Sequence, residues 1–474
     1  MDSVDSRKLP DPPALLMSAP LEPMASDIPV AAPSRHLAAV DDAVVPMALW
    51  RRWVTLFTIC WLPIPMTFST SSVLAVAPEL AREFNVPVTA ISIANAGVFL
   101  AMASSPLLWV PIGRLVGRRP AYLAAAVILC ACSVGSALAP NLAGFTAIWV
   151  IGGSTGVVFL VSGQTILSDI FEPTVRGTAV GFFLGTCVSA NTIAPLTGGI
   201  IATYTSWRVI YGVQAGMTLI GLVLAWFYVP LDPPREAQPP TSKHVLAQFS
   251  PMPVFRVFEH ISILAANITC GLLSFNQYGL LGSIRSALTT RFGPSSPLTS
   301  GLFYLAPGAG FLIGSTIGGR LSDQTVRRYI KKRNGLRLPR DRLKSSFPAI
   351  FIVLPLGTLL FGWSLGREVG GWAAPGIGAF LAGLGLMASF SGLNTYSAVE
   401  VLPAKKTEAI SSKYIVQYTF AAGTVASRVP IMEAIGVRWA STISAAAALA
   451  GGVIVLMITR YEPETEKTLR EEAE

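Results

Sequence analysis

Residues 88–138 read VTAISIANAGVFLAMASSPLLWVPIGRLVGRRPAYLAAAVILCACSVGSAL. Two long apolar runs flank one short break, and the only charges in the stretch are Arg114, Arg118 and Arg119 in that break. About 20 apolar residues cross a bilayer as a helix. Lipid offers no hydrogen bonds, so a spanning segment must satisfy its backbone internally, and a helix does this. The stretch therefore reads as a membrane hairpin with a basic tip. The pattern recurs along the chain. Helices are expected near 53–78, 88–112, 120–140, 144–168, 177–203, 206–229, 259–282, 299–318, 347–366, 372–396, 409–432 and 438–459. Composition agrees, with 52% apolar and 13% charged residues among 474 and a mean hydropathy of +0.57. Twelve spans need about 240 residues, close to the apolar total. These values exclude a soluble multi-domain enzyme, a disordered protein and a fibrous repeat. The expected class is an all-α integral membrane protein with 12 transmembrane helices.

The ends read differently from the middle. The start, MDSVDSRKLPDPP, is acidic and proline-rich, unlike a secretory signal. Residues 1–48 hold eight prolines and no periodic apolar face, so a disordered tail is expected. A second charged tail follows from 461 to 474. The five cysteines, Cys60, Cys130, Cys132, Cys187 and Cys270, fall inside apolar runs. They lack zinc-type spacing or a disulfide framework, so no metal and no cofactor is expected.

The formal net charge is +9. Residues 320–346 carry Arg320, Arg327, Arg328, Lys331, Lys332, Arg333, Arg337, Arg340, Arg342 and Lys344 against Asp323 and Asp341, a net +8. The basic excess is thus mostly one loop, suited to anionic lipid headgroups rather than to nucleic acid. With twelve spans, 28 of the 35 Lys and Arg residues lie on the side of both termini and 7 on the other. The positive-inside rule then puts both termini in the cytoplasm. Lys413 is counted there among the loop bases.

The break at 230–258 opens with VPLDPPREAQPP, a linker composition. It divides the chain into six-helix bundles at 49–229 and 259–460. The halves echo each other: Gly113-Arg114-Leu115 after span two is matched by Gly319-Arg320-Leu321 after span eight, each followed by an Arg-Arg pair. Two pseudo-symmetric bundles with a site between them are a transporter architecture.

At this point the motifs resemble the major facilitator superfamily. GRLVGRRP at 113–120, with Gly117, Arg118 and Arg119, is similar to its signature loop after span two. SDIFEPTVRGTAVG at 168–181, with Asp169 and Arg176, resembles the fungal form of the next loop on the same side. Ala194-Pro195-Leu196-Thr197-Gly198-Gly199 resembles the antiporter motif of span five. RRYIKKRNGLRLPRDRL at 327–343 is similar to the fungal 12-spanner drug:proton antiporter branch. The chain also departs from the pattern. Arg114 and Leu115 stand where an acid and a base are usual, Ala194 replaces a Gly, and the Arg tied to proton coupling in span four is missing near Gly152 and Gly153.

Candidate residues follow from cost. Polar groups in apolar spans are expensive and are functional candidates by default. These are Asn95, Gln164, Asn191, Asn267, Asn276, Gln277, Asn394 and Gln417, with the hydroxyls of Tyr278 and Tyr396. Asn191, Asn276 and Gln277 fall nearest mid-span. Arg285 and Arg428, near outer ends, suit either an anionic substrate or snorkelling. Glu79, near the outer end of span one, is the candidate for proton coupling. A salt-bridge latch is expected between the Arg114, Arg118, Arg119 cluster and Asp169 or Glu172, and a second between Arg320 and Asp323. Pro195, Gly198 and Gly199 suit close packing, a bend and a part in gating.

The sequence thus points to a non-enzymatic secondary transporter, acting as a monomer in the plasma membrane. Resemblance implies export of a small organic molecule, such as a drug, a secondary metabolite or a weak acid like itaconate or citrate, by alternating access with proton antiport. An importer of sugar type and a non-transporting sensor on the same fold are the alternatives. The three histidines, His36, His244 and His260, form no catalytic constellation.

Overall fold

The computed structural model describes residues 48–171, 173–229, 250–293, 296–333, 340–396 and 405–460. The expected N-terminal tail up to residue 47, linker residues 230–249, Glu172, Arg337, Glu400 and the tail after 460 lie outside them, as do the side chains of Asp169 and Arg176.

Regular structure among the described residues is entirely helical. The first bundle holds α1 (Trp50–Glu83), α2 (Val88–Val116), α3 (Arg118–Leu138), α4 (Leu142–Leu167), α5 (Pro173–Tyr204) and α6 (Arg208–Tyr228). The second opens with a short helical stub, Met252–Glu259, bent by 101° against α7 (Ile261–Phe292). Then follow α8 (Pro297–Lys332), α9 (Asp341–Gly366) and α10 (Ala373–Thr395). One continuous stretch, Lys406–Arg460, ends the bundle. Its only non-helical backbone is Gly436, at φ 77°. That turn divides the stretch into α11 (406–435) and α12 (437–460), giving the expected twelve.

Several boundaries differ from expectation, and α7 runs to Phe292, ten residues past its expected end. The loop after span eight is not loop at its start, because α8 continues to Lys332 with its basic residues in helix. The Gly319-Arg320-Leu321 echo therefore lies inside a helix, whereas Gly113-Arg114-Leu115 ends one. The linker's last residues form the stub because Val254 and Val257 bury one face, Val257 against Ile263 and Ala409. No loop separates the last two spans, only the Gly436 turn.

Packing follows the internal repeat. Within the first bundle α1 packs on α5 and α3 on α6; within the second α7 packs on α11 and α12, and α8 and α9 on α10. The bundles meet where α2 crosses α11 and where α5 crosses α8. Shifting by six helices turns the first contact into the second, the signature of a pseudo-twofold axis. Small residues permit the closest approaches. A Cβ at Gly310 or Gly314 of α8 would stand 2.2 Å from Phe380 O or 2.3 Å from Leu384 O of α10.

Candidate substrate pathway and its gates

The face carrying Arg114, Arg118, Arg119 and the end of α8 is the basic face. There α2 and α3 are joined by one residue, Gly117, at φ 96°. An L side chain is strained in that conformation, which explains the glycine in the motif. The sharp turn projects Arg114 from the last turn of α2, where its guanidinium pairs with Glu408 in the first turn of α11. The ion pair joins the two bundles. Glu408 also suits the positive N-terminal end of its helix. Arg119 donates to Trp226 O within the first bundle. Deeper in, Gln164 Nε2 of α4 donates to Tyr414 Oη of α11 at 2.7 Å, a second link between bundles. A cleft of about 140 Å³ lies beside these contacts, lined in part by Trp109, Arg114, Arg118, Ser162, Thr165 and Glu408.

The opposite face is closed by different means. Arg285 of α7 donates to Glu79 Oε1 of α1 at 2.9 Å and to Ala75 O at 2.7 Å. Glu79 Oε2 is buried without a hydrogen-bond partner. The 194–199 motif lies alongside. Ser72 Oγ of α1 donates to Ala194 O at 2.8 Å. A Cβ at Gly198 would meet Ser72 Cβ at 2.8 Å, and one at Gly199 would meet Pro297 O of α8 at 2.4 Å. Pro195 O would be 3.0 Å from a Cβ at Gly301. The motif thus serves as the surface on which α5 meets both α1 and α8.

Between the gates stands a column of rings. Phe99 of α2 contacts Tyr278 of α7 at 4.6 Å and stacks at 6.1 Å on Tyr418 of α11, which stacks at 6.0 Å on Tyr414. Gln277, next to Tyr278, is 4% exposed and makes no hydrogen bond among the described residues.

Several expected site residues do other work. Asn95 Nδ2 donates to Thr70 O, tying α2 to α1, and Asn191 Oδ1 accepts from Ser71 Oγ, tying α5 to α1. Asn267 Nδ2 donates to Ser412 Oγ. Asn276 Nδ2 donates to Thr358 Oγ1 and Ser444 O, so this mid-span residue holds the second bundle together rather than facing the first. Arg428 donates to Ala440 O and Ser444 Oγ, bracing α11 against α12 beside the Gly436 turn. Gln417 is partly buried on α11 and Tyr396 is fully buried. Arg285 was a candidate for attracting anions; its charge is matched by Glu79.

Of the two expected latches, the second is redrawn. Asp323 accepts from Arg342 Nη1 at 3.2 Å and not from Arg320, one turn earlier on the same exposed face of α8, because the start of α9 brings Arg342 beside it. Arg114 pairs with Glu408 across the bundles, while the expected latch of Arg114, Arg118 and Arg119 with Asp169 or Glu172 falls on side chains outside those described. Two residues escaped the sequence reading. Glu408 lay at a boundary read as loop. Lys413 was counted among loop bases, yet it is 1% exposed inside the second bundle. A lysine inside the span expected at 409–432 is the available signal.

The family model of the Major Facilitator Superfamily matches residues 60–426. This chain belongs to the major facilitator superfamily. Among curated relatives, an efflux pump of Fusarium oxysporum, FUBT, is 23% identical over 85% of this chain and 71% of its own. The uncharacterized transporter mfc1 of Schizosaccharomyces pombe is 26% identical over 78% of this chain and 81% of its own. Solved structures share the fold. The human organic anion transporter MFSD10 superposes with a TM-score of 0.65 at 16% identity, covering 86% of this chain and all of its own. The proton:xylose symporter XylE, bound to 6-bromo-6-deoxy-D-glucose, gives 0.63 at 12% identity, covering 87% and 96%. This superfamily member is a multi-pass membrane transporter and not an enzyme, with fungal efflux pumps among its relatives.

Proposed function

We propose that this transporter exports a small organic molecule by alternating access, in exchange for protons. One observation supports the reading above others: each face is closed by an ion pair that joins the two bundles, Arg114–Glu408 on the basic face and Glu79–Arg285 on the opposite face. Alternating access needs two such contacts, broken in turn as one bundle rocks on the other. The basic face is taken as cytoplasmic, with both termini there and the chain in the plasma membrane. Glu79 is the coupling group in this scheme. Protonating its carboxylate removes the negative charge that holds Arg285, so external protons favour release at the outer face. The efflux-pump relatives support the outward direction. Drugs, secondary metabolites and weak acids such as itaconate or citrate are the cargo classes to test.

The test is efflux from vesicles reconstituted with the full chain and loaded with one cargo from each class. Export should rise with an opposing proton gradient and lose that dependence in Glu79→Gln. Equal rates with and without the gradient would remove proton antiport.

A further inference from the structure

Lys413 of α11 is a buried cation without an anion. It lies about 10 Å along the helix from Lys406, at 1.5 Å per residue. The residue is 1% exposed. Its single hydrogen bond is to Asn394 Oδ1 of α10, at 3.0 Å. The ammonium also stands over the ring of Tyr414, 4.0 Å from its centroid. Among the described residues no carboxylate pairs with it. An ammonium has three donors, so two are unused. Burying a charge without a partner costs several kcal/mol, and such a residue in a span marks a function by default. One residue away the surroundings are also under-bonded: Asn267 Nδ2 donates to Ser412 Oγ, while Asn267 Oδ1 is buried with no partner.

Arg428 is the useful contrast. It too is buried and lacks a carboxylate, but a carbonyl and a hydroxyl of α12 accept from it, and it braces a helix junction. Its place is structural. Lys413 has one such tie only, to the Asn394 amide of α10. It stands one ring behind the boundary between the bundles. That ring is Tyr414, whose hydroxyl is held by Gln164 of the first bundle and whose face continues the column through Tyr418 to Phe99. Opening the basic face breaks the Gln164–Tyr414 bond and leaves the Tyr414 ring untethered in front of the ammonium.

We propose that Lys413 is the residue that binds a carboxylate group of the cargo, so that the molecule exported is an organic anion taken from the basic face. This inference rests on the export reading above and names its substrate class. A carboxylate supplies the missing counter-charge and accepts the two unused hydrogen bonds. Asn394 orients the ammonium, and Tyr414 shields it until the basic face opens. A neutral cargo would leave the charge unpaired, so the site selects against it.

The test uses purified full-length protein and thermal unfolding with itaconate, citrate and benzoate, each beside its neutral amide. At least one acid should stabilise the wild type while its amide does not. Lys413→Met should weaken that acid's apparent affinity tenfold or more, and Lys413→Arg should keep most of it. Unliganded melting temperatures of the variants separate binding from folding. No stabilisation by any of the acids overturns the assignment, as does wild-type affinity in Lys413→Met. Vesicle efflux separates the two readings. Export of a cationic dye or a neutral amide, unchanged by Lys413→Met, overturns the anion assignment and leaves export standing. Export of no member of either class by the wild type overturns both.

Discussion

The bundles meet at the two faces through different materials. On the opposite face, backbone meets backbone: Gly199 of α5 lies so close to Pro297 of α8 that no Cβ fits. The Glu79–Arg285 pair reinforces that contact from α1 and α7. On the basic face the bundles are joined by side chains, Arg114 with Glu408 and Gln164 with Tyr414, beside a cleft. Close backbone packing depends on shape and fails when volume is added. A side-chain latch depends on charge and fails when charge is removed. The opposite face should therefore be the more sensitive to size and the basic face the more tolerant.

The largest effect is expected from size. Gly199→Leu places a side chain where even a Cβ would meet a carbonyl at 2.4 Å. Transport per molecule at the surface should fall at least tenfold, with insertion unchanged. Near-normal export would show that α5 and α8 part easily and would erase the contrast. Next comes the half-buried pair. Glu79→Gln leaves the Arg285 charge without its partner, at a cost of about 2 kcal/mol, or about thirtyfold in the balance between open and closed outer faces. Accessibility of a single reporter cysteine at that face would read it. Exchanging the charges, Glu79→Arg with Arg285→Glu, should recover part of the loss.

A smaller effect is expected on the basic face. Arg114 is 27% exposed, so solvent screens its pair with Glu408. Arg114→Gln should shift the inner-face balance by about 1 kcal/mol, a change of about fivefold in accessibility. Adding Glu408→Gln should cost little more. Additive losses would mean the two residues act separately. The smallest effect belongs to Asp323, whose carboxylate is 57% exposed beside Arg342. Asp323→Asn should change export by less than twofold, because an exposed pair contributes only a few tenths of a kcal/mol. A severe loss would transfer the basic-face gate to the end of α8.

Much of the fold was legible because lipid makes each span declare itself. Hydropathy marks a segment without reference to any other, so the apolar part of each of the twelve helices is legible, though the ends of α7 and α8 lie ten and fourteen residues beyond it. The end of α8 and the stub before α7 were missed for the same reason. A run of charges hides a helix that leaves the membrane. The basic stretch through Arg327 and Arg328 to Lys332 does this, and hydropathy is blind to it. The candidate site was less legible. Asn276 and Gln277 are neighbours with equal polarity, yet one is bonded within its bundle and the other carries no hydrogen bond among the described residues. A rotation of about 100° around the helix separates them.

The sequence by itself determined the membrane class and the helix number, since each depends on the composition of a local segment. The signature loop also showed its own anomaly, a base at Arg114 where an acid is usual. Only the tertiary structure decided what answers that anomaly. A partner across the bundles is Glu408, 294 residues away, reached because α2 and α11 cross at the boundary between the bundles. It likewise moved Lys413 from a loop to the interior and matched Arg285 with Glu79. Charges at helix ends find partners through helix rotation and bundle contact, and neither is written in the hydropathy of a span.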